Sequence, residues 1–164
     1  SRGQPAVMTP PKTVEKFLAS PEVTRAVGQR LAGVAQPGDC LLLHGDIGAG
    51  KTHLARAFIQ AWLQAQGRWE DVPSPTYTLV QTYSDGEGEL WHADLYRLTS
   101  ANDIEELGLL DAIGTAIVLV EWPDRLGEDA PGNALHVTLS VAGDGRTLHA
   151  SGPARLISAI ESIA

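Results

Sequence analysis

The 164-residue chain holds one cysteine, Cys40, set in the apolar run CLLL. No internal disulfide is possible, and a lone thiol in such a run reads as a buried side chain rather than a nucleophile. No apolar stretch approaches the roughly 20 residues that cross a bilayer, so a helical membrane protein is excluded. Basic clusters are missing as well. The 12 Lys and Arg residues are scattered among 20 Asp and Glu, for a formal net charge of -8. A protein that grips nucleic acid unaided offers a concentrated basic face, so direct, autonomous binding of DNA or RNA is not expected. His44, His92, His136 and His149 lack metal-ligand spacing and read as strand positions. No repeat, low-complexity tract or interdomain linker interrupts the sequence.

The composition is that of a folded domain, 43% apolar and 20% charged. At this length one domain is expected, over residues 13–164. Residues 1–12 read as a flexible tail. Ser1 to Val7 precede the only methionine, Met8, and fit either a vector-derived or a processed start. No secretory-type apolar stretch opens the chain, which together with the free thiol points to the cytoplasm.

Along the domain, TVEKFL reads as a first strand. SPEVTRAVGQRLAGVA reads as a helix, with Ser20 as cap, Pro21 in its first turn and Val23, Val27, Leu31 and Val34 as its apolar stripe. Cys40–Leu43 is a short buried strand running into glycines. A helix follows from Gly50, with Leu54, Phe58, Ala61, Trp62 and Ala65 on one side, until Gly67 stops it. YTLVQTYSDGEGELWHADLYRL alternates about a turn, as a hairpin does, and SANDIEELGLLDAIG reads as one helix with acids at its positive end. Ile117–Val120 is an unbroken apolar strand. A second hairpin, ALHVTLSVAGDGRTLHASG, precedes a helix built on Leu156, Ile157, Ile160 and Ile163. Trp62 and Trp91 are core candidates.

Between the second strand and the second helix lies HGDIGAGKTHLARA. Gly45, Gly50, Lys51 and Thr52 fit G-x-x-x-x-G-K-[ST], the pattern that cradles phosphates. The glycines let successive N–H groups from about Asp46 to Thr52, through Ile47, Gly48, Ala49, Gly50 and Lys51, converge on phosphate oxygens at the helix's positive end. Lys51 supplies a charge to the β and γ phosphates, and the Thr52 hydroxyl can reach their magnesium. Two carboxylates close strands that should end nearby: Asp94 after LWHA and Glu121 after IVLV. One would hold the metal and the other orient water; we assign Asp94 to Mg2+ and Glu121 to water, with the reverse the alternative. Asp94 as a turn cap and Glu121 as an ordinary strand end are the plain readings. Thr76, in the Ser74–Thr76 turn SPT, is placed to sense the γ-phosphate. Trp122 adjoins Glu121 and reads as packing near a nucleotide or a partner. Arg97 and Arg125 read either as phosphate-stabilising cations or as paired surface arginines.

The four stretches GDIGAGKT, SPTYTLVQTY, HADLYRL and VEWPDR, in that order, resemble the bacterial TsaE family, also called YjeE, from about Val14 to Ser151. The resemblance implies a P-loop NTPase fold, α/β with a central mixed sheet flanked by helices and antiparallel hairpins. It also implies an ATPase that uses ATP and Mg2+ and joins TsaB and TsaD in making threonylcarbamoyladenosine in tRNA. Carried over by motif, nucleotide binding falls on Gly48 to Thr52 and the magnesium-linked aspartate on Asp94. The catalytic glutamate falls on Glu121 and a switch-like threonine on Thr76. Thr52, Asp94 and Glu121 are thus the metal candidates, and Lys51, Asp94 and Glu121 the catalytic ones. Where the family commonly has a second threonine, this chain has His53, expected to face outward. Hydrolysis by the isolated chain is expected to be slow. The rival readings are a small-molecule kinase, although no arginine-rich lid is evident, and a nucleotide-dependent scaffold without useful turnover.

Overall fold

The computed structural model describes residues 11–98 and 102–163. In chain order its elements are β1 (Lys12–Leu18), α1 (Pro21–Val34), β2 (Cys40–His44), α2 (Lys51–Gln64), β3 (Val80–Ser84), β4 (Glu89–Asp94), α3 (Asn102–Glu106), α4 (Leu109–Ala112), β5 (Ile117–Glu121), β6 (Leu135–Ala142), β7 (Gly145–Gly152) and α5 (Ala154–Glu161), with a 3-10 turn at Pro123–Asp129. The strands form one seven-stranded sheet in the order β1-β7-β6-β2-β5-β4-β3. Its four middle strands, β6, β2, β5 and β4, run parallel, and the antiparallel partners lie at the two sides. The fold is a mixed α/β sheet with helical cover on both faces, the P-loop NTPase class.

The side-chain period of two explains the layers. Leu41, Leu43 and Leu119 face the core under α1, α2 and α5, whereas Cys40, Leu42, Val118 and Val120 face the opposite core with Leu109 and Leu126. Burial along all of β5 matches a strand covered on both sides. The same period sends Leu90, His92 and Asp94 of β4 to the α2 face. Asp94 stands directly beside Glu121 in the parallel register.

Five expectations are corrected. The first strand begins at Lys12, inside the segment read as tail. The acidic helix is two short ones, because Gly108 between them adopts φ 76°, left-handed backbone that favours glycine, and an added Cβ would lie 3.4 Å from the Trp91 ring. Ser100 and Ala101, which opened that helix in the sequence reading, lie outside the described residues. On α2 the buried apolar residues are Leu54, Ala55, Ala57, Phe58, Ile59 and Leu63, while Ala65 is exposed, because α2 is enclosed by both the sheet and α1 and its apolar stripe is correspondingly wide. Trp62 and Trp91 are only partly buried, packed at the margins of the two cores. Ser20 does precede α1, but it makes no side-chain cap; its carbonyl accepts the N–H groups of Val23 and Thr24. Among the described residues no helix is long and apolar enough to cross a membrane.

Where β2 ends, the chain must leave the sheet against the neighbouring β6. Gly45 makes this possible: its φ is 140°, and a Cβ there would stand 2.5 Å from the Leu139 carbonyl oxygen. Gly45→Ala is therefore expected to cost on the order of 2 kcal/mol through strain and collision. Thermal unfolding should show Tm lower by about 4–8 °C.

Candidate functional site

The parallel strands β2, β5 and β4 end on one edge of the sheet, and α2 begins above them. That arrangement makes Ile47, Gly48 and Gly50 of the intervening loop the floor of a cavity of about 350 Å³, walled by Lys51, Thr52, Thr76, Asp94 and Glu121. The loop's shape is held from behind. Arg146 of β7 donates to the Ala49 carbonyl at 3.1 Å and to the Gly48 carbonyl at 3.2 Å. With those oxygens engaged from behind, the loop is held at the positive end of α2, where unpaired N–H groups attract anions.

Thr52, in the first turn of α2, donates its hydroxyl to Glu121 Oε1 at 2.7 Å. The other oxygen, Oε2, meets His92 Nε2 at 2.7 Å. Glu121 is 2% exposed and His92 fully buried, so the imidazole fixes the carboxylate's orientation without solvent. Among the described residues, His92 Nδ1 has no partner. With Nε2 turned to the carboxylate, that buried and unpartnered ring nitrogen carries a cost of the kind tolerated at functional sites.

Asp94 Oδ1 accepts the Tyr96 N–H at 3.0 Å, and Thr76 Oγ1 donates to Oδ2 at 3.4 Å. Asp94 thus caps a turn and also faces the cavity. Burial pushes its carboxyl pKa up, with Glu121 adding to the rise; the Tyr96 N–H, His92 and Lys51 pull the other way. Lys51 donates to the Gly45 carbonyl, and its ammonium stands 3.5 Å from the centre of the Trp122 ring. Burial lowers its pKa against the upward pull of Glu121 and Asp94. Trp122 itself sits at φ 59°, ψ 54°, a left-handed conformation that few tryptophans adopt.

Ile47, Gly48, Gly50, Lys51, Thr52, Thr76, Asp94 and Glu121 all line the cavity. Two nominated residues do not. Asp46 accepts the Ala49 N–H to close the loop's turn, and the Ala49 methyl is packed in the core. His53 does not face outward: it meets the Pro21 carbonyl at 3.0 Å and borders the cavity, because α1 starts where the outer side of α2 would otherwise meet water. Two residues were not found from the sequence. His92 was read as a strand position, which it is, and only the register of β4 on β5 reveals its contact with Glu121. Arg146, some hundred residues from the loop it clamps, had no local signal. Arg97, read from the sequence either as a phosphate-stabilising cation or as a paired surface arginine, lines the cavity. Cys40 is buried and its thiol is pushed up to about 12, mainly by burial and then by Asp39, so it is not poised as a nucleophile.

On the far side of the loop, a second cavity of about 330 Å³ shares Gly48, Gly50 and His53 with the first and is walled by Ser20, Pro21, Thr24 and Arg146.

Comparison with known proteins agrees with this geometry. The family model described as Threonylcarbamoyl adenosine biosynthesis protein TsaE matches residues 18–148. The chain is similar to the tRNA threonylcarbamoyladenosine biosynthesis protein TsaE of Bacillus subtilis, 38% identical over 134 residues that make up 81% of each chain. It is also similar to that of Rickettsia bellii, 34% identical over 134 residues, 82% of this chain and 91% of the other. Among solved structures it resembles the crystal structure of Bacillus subtilis YdiB, with TM-score 0.70, 29% identity and coverage of 95% of this chain and 97% of that one.

Because Asp94 holds its proton more tightly folded than unfolded, its ionisation works against the fold. The penalty is absent below the ordinary value of 3.8, where the group is protonated in both states. It grows as pH rises to the elevated folded value and then stays constant. Asp94→Asn keeps the acceptor for Tyr96 and removes the charge, so it should be more stable than the parent at pH 7. The difference should close on acidification to about pH 4, as measured by denaturant midpoints at several pH values.

Proposed function

Because the chain belongs to the threonylcarbamoyl adenosine biosynthesis protein TsaE family, we propose that it is an ATPase of tRNA threonylcarbamoyladenosine formation, acting with TsaB and TsaD. The observation that carries this reading is the hydrogen bond from Thr52 to Glu121 at the mouth of a glycine loop that also presents Lys51. A hydroxyl and a carboxylate joined in this way are hard oxygen donors of the kind Mg2+ prefers, and phosphate-loop enzymes hold their metal with such a pair. When bound, Mg2+ supplies positive charge to the β- and γ-phosphate oxygens.

That hydrogen bond reaches Glu121 and not Asp94, which supports exchanging the two assignments made from the sequence. Glu121 joins Thr52 at the metal, and Asp94 orients the attacking water beside Thr76. The raised proton affinity of Asp94 suits a group that takes a proton from water. Lys51 meets the β and γ phosphates, the loop N–H groups bind phosphate oxygens, and the second cavity accepts the nucleoside. Triphosphate and nucleoside then lie on opposite sides of Gly48 and Gly50. The net charge of -8 suits docking to protein partners rather than gripping tRNA, and the single buried thiol suits a reducing cytoplasm.

On this reading, ATP and Mg2+ order the Ser74–Thr76 turn, the ordered state binds TsaB and TsaD, and hydrolysis resets it. A pull-down should recover the partners with ATP and Mg2+ and lose them without. Turnover of tens per second by the isolated chain, indifferent to TsaB and TsaD, would remove the switch, and transfer of labelled phosphate to a metabolite would replace it with a kinase.

The two acids should separate in kinetics. Asp94→Asn is expected to keep nucleotide affinity while lowering kcat by about 10²–10⁴-fold, the usual range for a lost general base. Glu121→Gln should abolish the tightening of nucleotide binding by Mg2+, read by titration calorimetry with and without the metal.

A further inference from the structure

We infer that Arg97 is a catalytic residue of this site, the cation that neutralises charge on the transferring phosphoryl group, and that it is held in reserve on the ring of Tyr77. The inference rests on the hydrolytic reading above. Phosphoryl transfer is loose, so negative charge spreads over the γ-phosphate oxygens as the bond to the leaving oxygen breaks. The site needs a cation there that the ground state has not consumed. Lys51 is engaged by the Gly45 carbonyl and the Trp122 ring. Arg146 is spent on the loop's carbonyls, and Arg125 reaches the Tyr96 carbonyl. Arg97 lines the cavity with Lys51, Thr52 and Glu121. Among the described residues it makes no hydrogen bond or ion pair; its one recorded contact is the Tyr77 ring, 4.5 Å from guanidinium carbon to ring centre.

Tyr77 is 81% exposed, and a cation over so exposed a ring is weakly held. It directly follows Thr76, whose hydroxyl points at Asp94. A movement of the turn onto the γ-phosphate therefore carries the ring with it and frees the guanidinium. In the reaction the water oxygen forms a bond to γ-phosphorus and its proton passes to Asp94. The bond to the β–γ bridging oxygen breaks, its electron pair leaves with ADP, and Arg97 balances the charge on the phosphoryl oxygens. The same arrangement accounts for slow hydrolysis at rest, since an arginine in this role is worth about 10³–10⁵ in rate.

The test measures ATP hydrolysis by the full chain, alone and with TsaB and TsaD, together with calorimetric binding of ADP and of ADP with aluminium fluoride, a mimic of the transferring group. Arg97→Ala should lower kcat at least 100-fold, hold the ADP Kd within threefold and lose the extra affinity for the fluoride complex. Arg97→Lys should recover little of the rate. Tyr77→Ala should raise the turnover of the isolated chain several-fold, Tyr77→Phe should behave as the parent does, and the double variant Tyr77→Ala, Arg97→Ala should be as slow as Arg97→Ala. A parent chain that hydrolyses no ATP even with its partners sinks the hydrolytic reading and this inference with it. A parent that turns over while Arg97→Ala keeps pace, or an Arg97→Ala that loses ADP affinity in proportion to rate, overturns the role of Arg97 alone. A rate unchanged or lowered by Tyr77→Ala overturns the latch.

Discussion

The hydrogen bond between Thr52 and Glu121 joins the first turn of a helix to the last residue of a strand, and the arrangement of the site follows from what that contact requires. The helix must start directly above the end of β5, so the loop before it must double back within a few residues. The strands beneath must be parallel neighbours, or their ends would not share an edge. β2 and β5 pair in parallel with Leu43 beside Glu121, so the strand that feeds the loop and the strand that carries the carboxylate finish together. β4, on the other side of β5, finishes there too and brings Asp94 to the same level.

This convergence places three buried ionisable side chains, Lys51, Asp94 and Glu121, in one small volume beside the buried His92. Removing charges from water costs free energy that mutual attraction only partly offsets. The opposed directions of the shifts at Asp94 and Lys51 express that cost: burial makes each charged form harder to keep. The main chain is strained at the same place. The only two residues other than glycine with positive φ among those described are Leu79 and Trp122. Leu79 accepts from the Asp94 N–H, and Trp122 follows Glu121 and covers Lys51. A domain selected for stability alone would keep neither the charges nor the strain; the charges line the cavity and the strain falls on residues beside them.

Much of this was legible in the sequence because its signals are local. A glycine pattern between an apolar strand and a helix is contained in fourteen residues, and Ile117–Val120 could only be a central strand. Asp94 and Glu121 could be nominated because each follows a strand-like run, and a parallel sheet collects strand ends. What stayed hidden depends on register. That His92 touches Glu121 follows from the alignment of β4 on β5, which no periodicity reveals. That Arg146 reaches the loop follows from β7 lying two strands from β2. Which of the two acids Thr52 meets was hidden for the same reason: both end strands, and only the rotation of α2 above them decides it. Gly108 was visible, yet the pattern of leucines around it favoured one helix. That a side chain at this position would meet the Trp91 ring emerges only once the sheet is assembled.

The antiparallel half of the sheet has its own part in the chemistry. The hairpin of β6 and β7 contributes no acid to the cavity, but it carries the two contacts that give the glycine loop its form, the Leu139 carbonyl against Gly45 and the Arg146 guanidinium on the loop's carbonyls. A ligand that engages the loop's N–H groups therefore acts on one side of a peptide chain whose other side is already fixed. It does not have to order the loop at its own expense, and affinity lost to such ordering is saved. The turn that bears Thr76 and Tyr77 is built in the opposite way. The hydroxyls of Ser74 and Thr76 reach each other and Asp94, Thr78 accepts from the exposed Gln81 side chain, and the tyrosine lies in solvent. On the proposed reading, a rigid cradle facing a lightly held turn would let a nucleotide bind without rearranging the fold, and would confine the response to a segment at the surface.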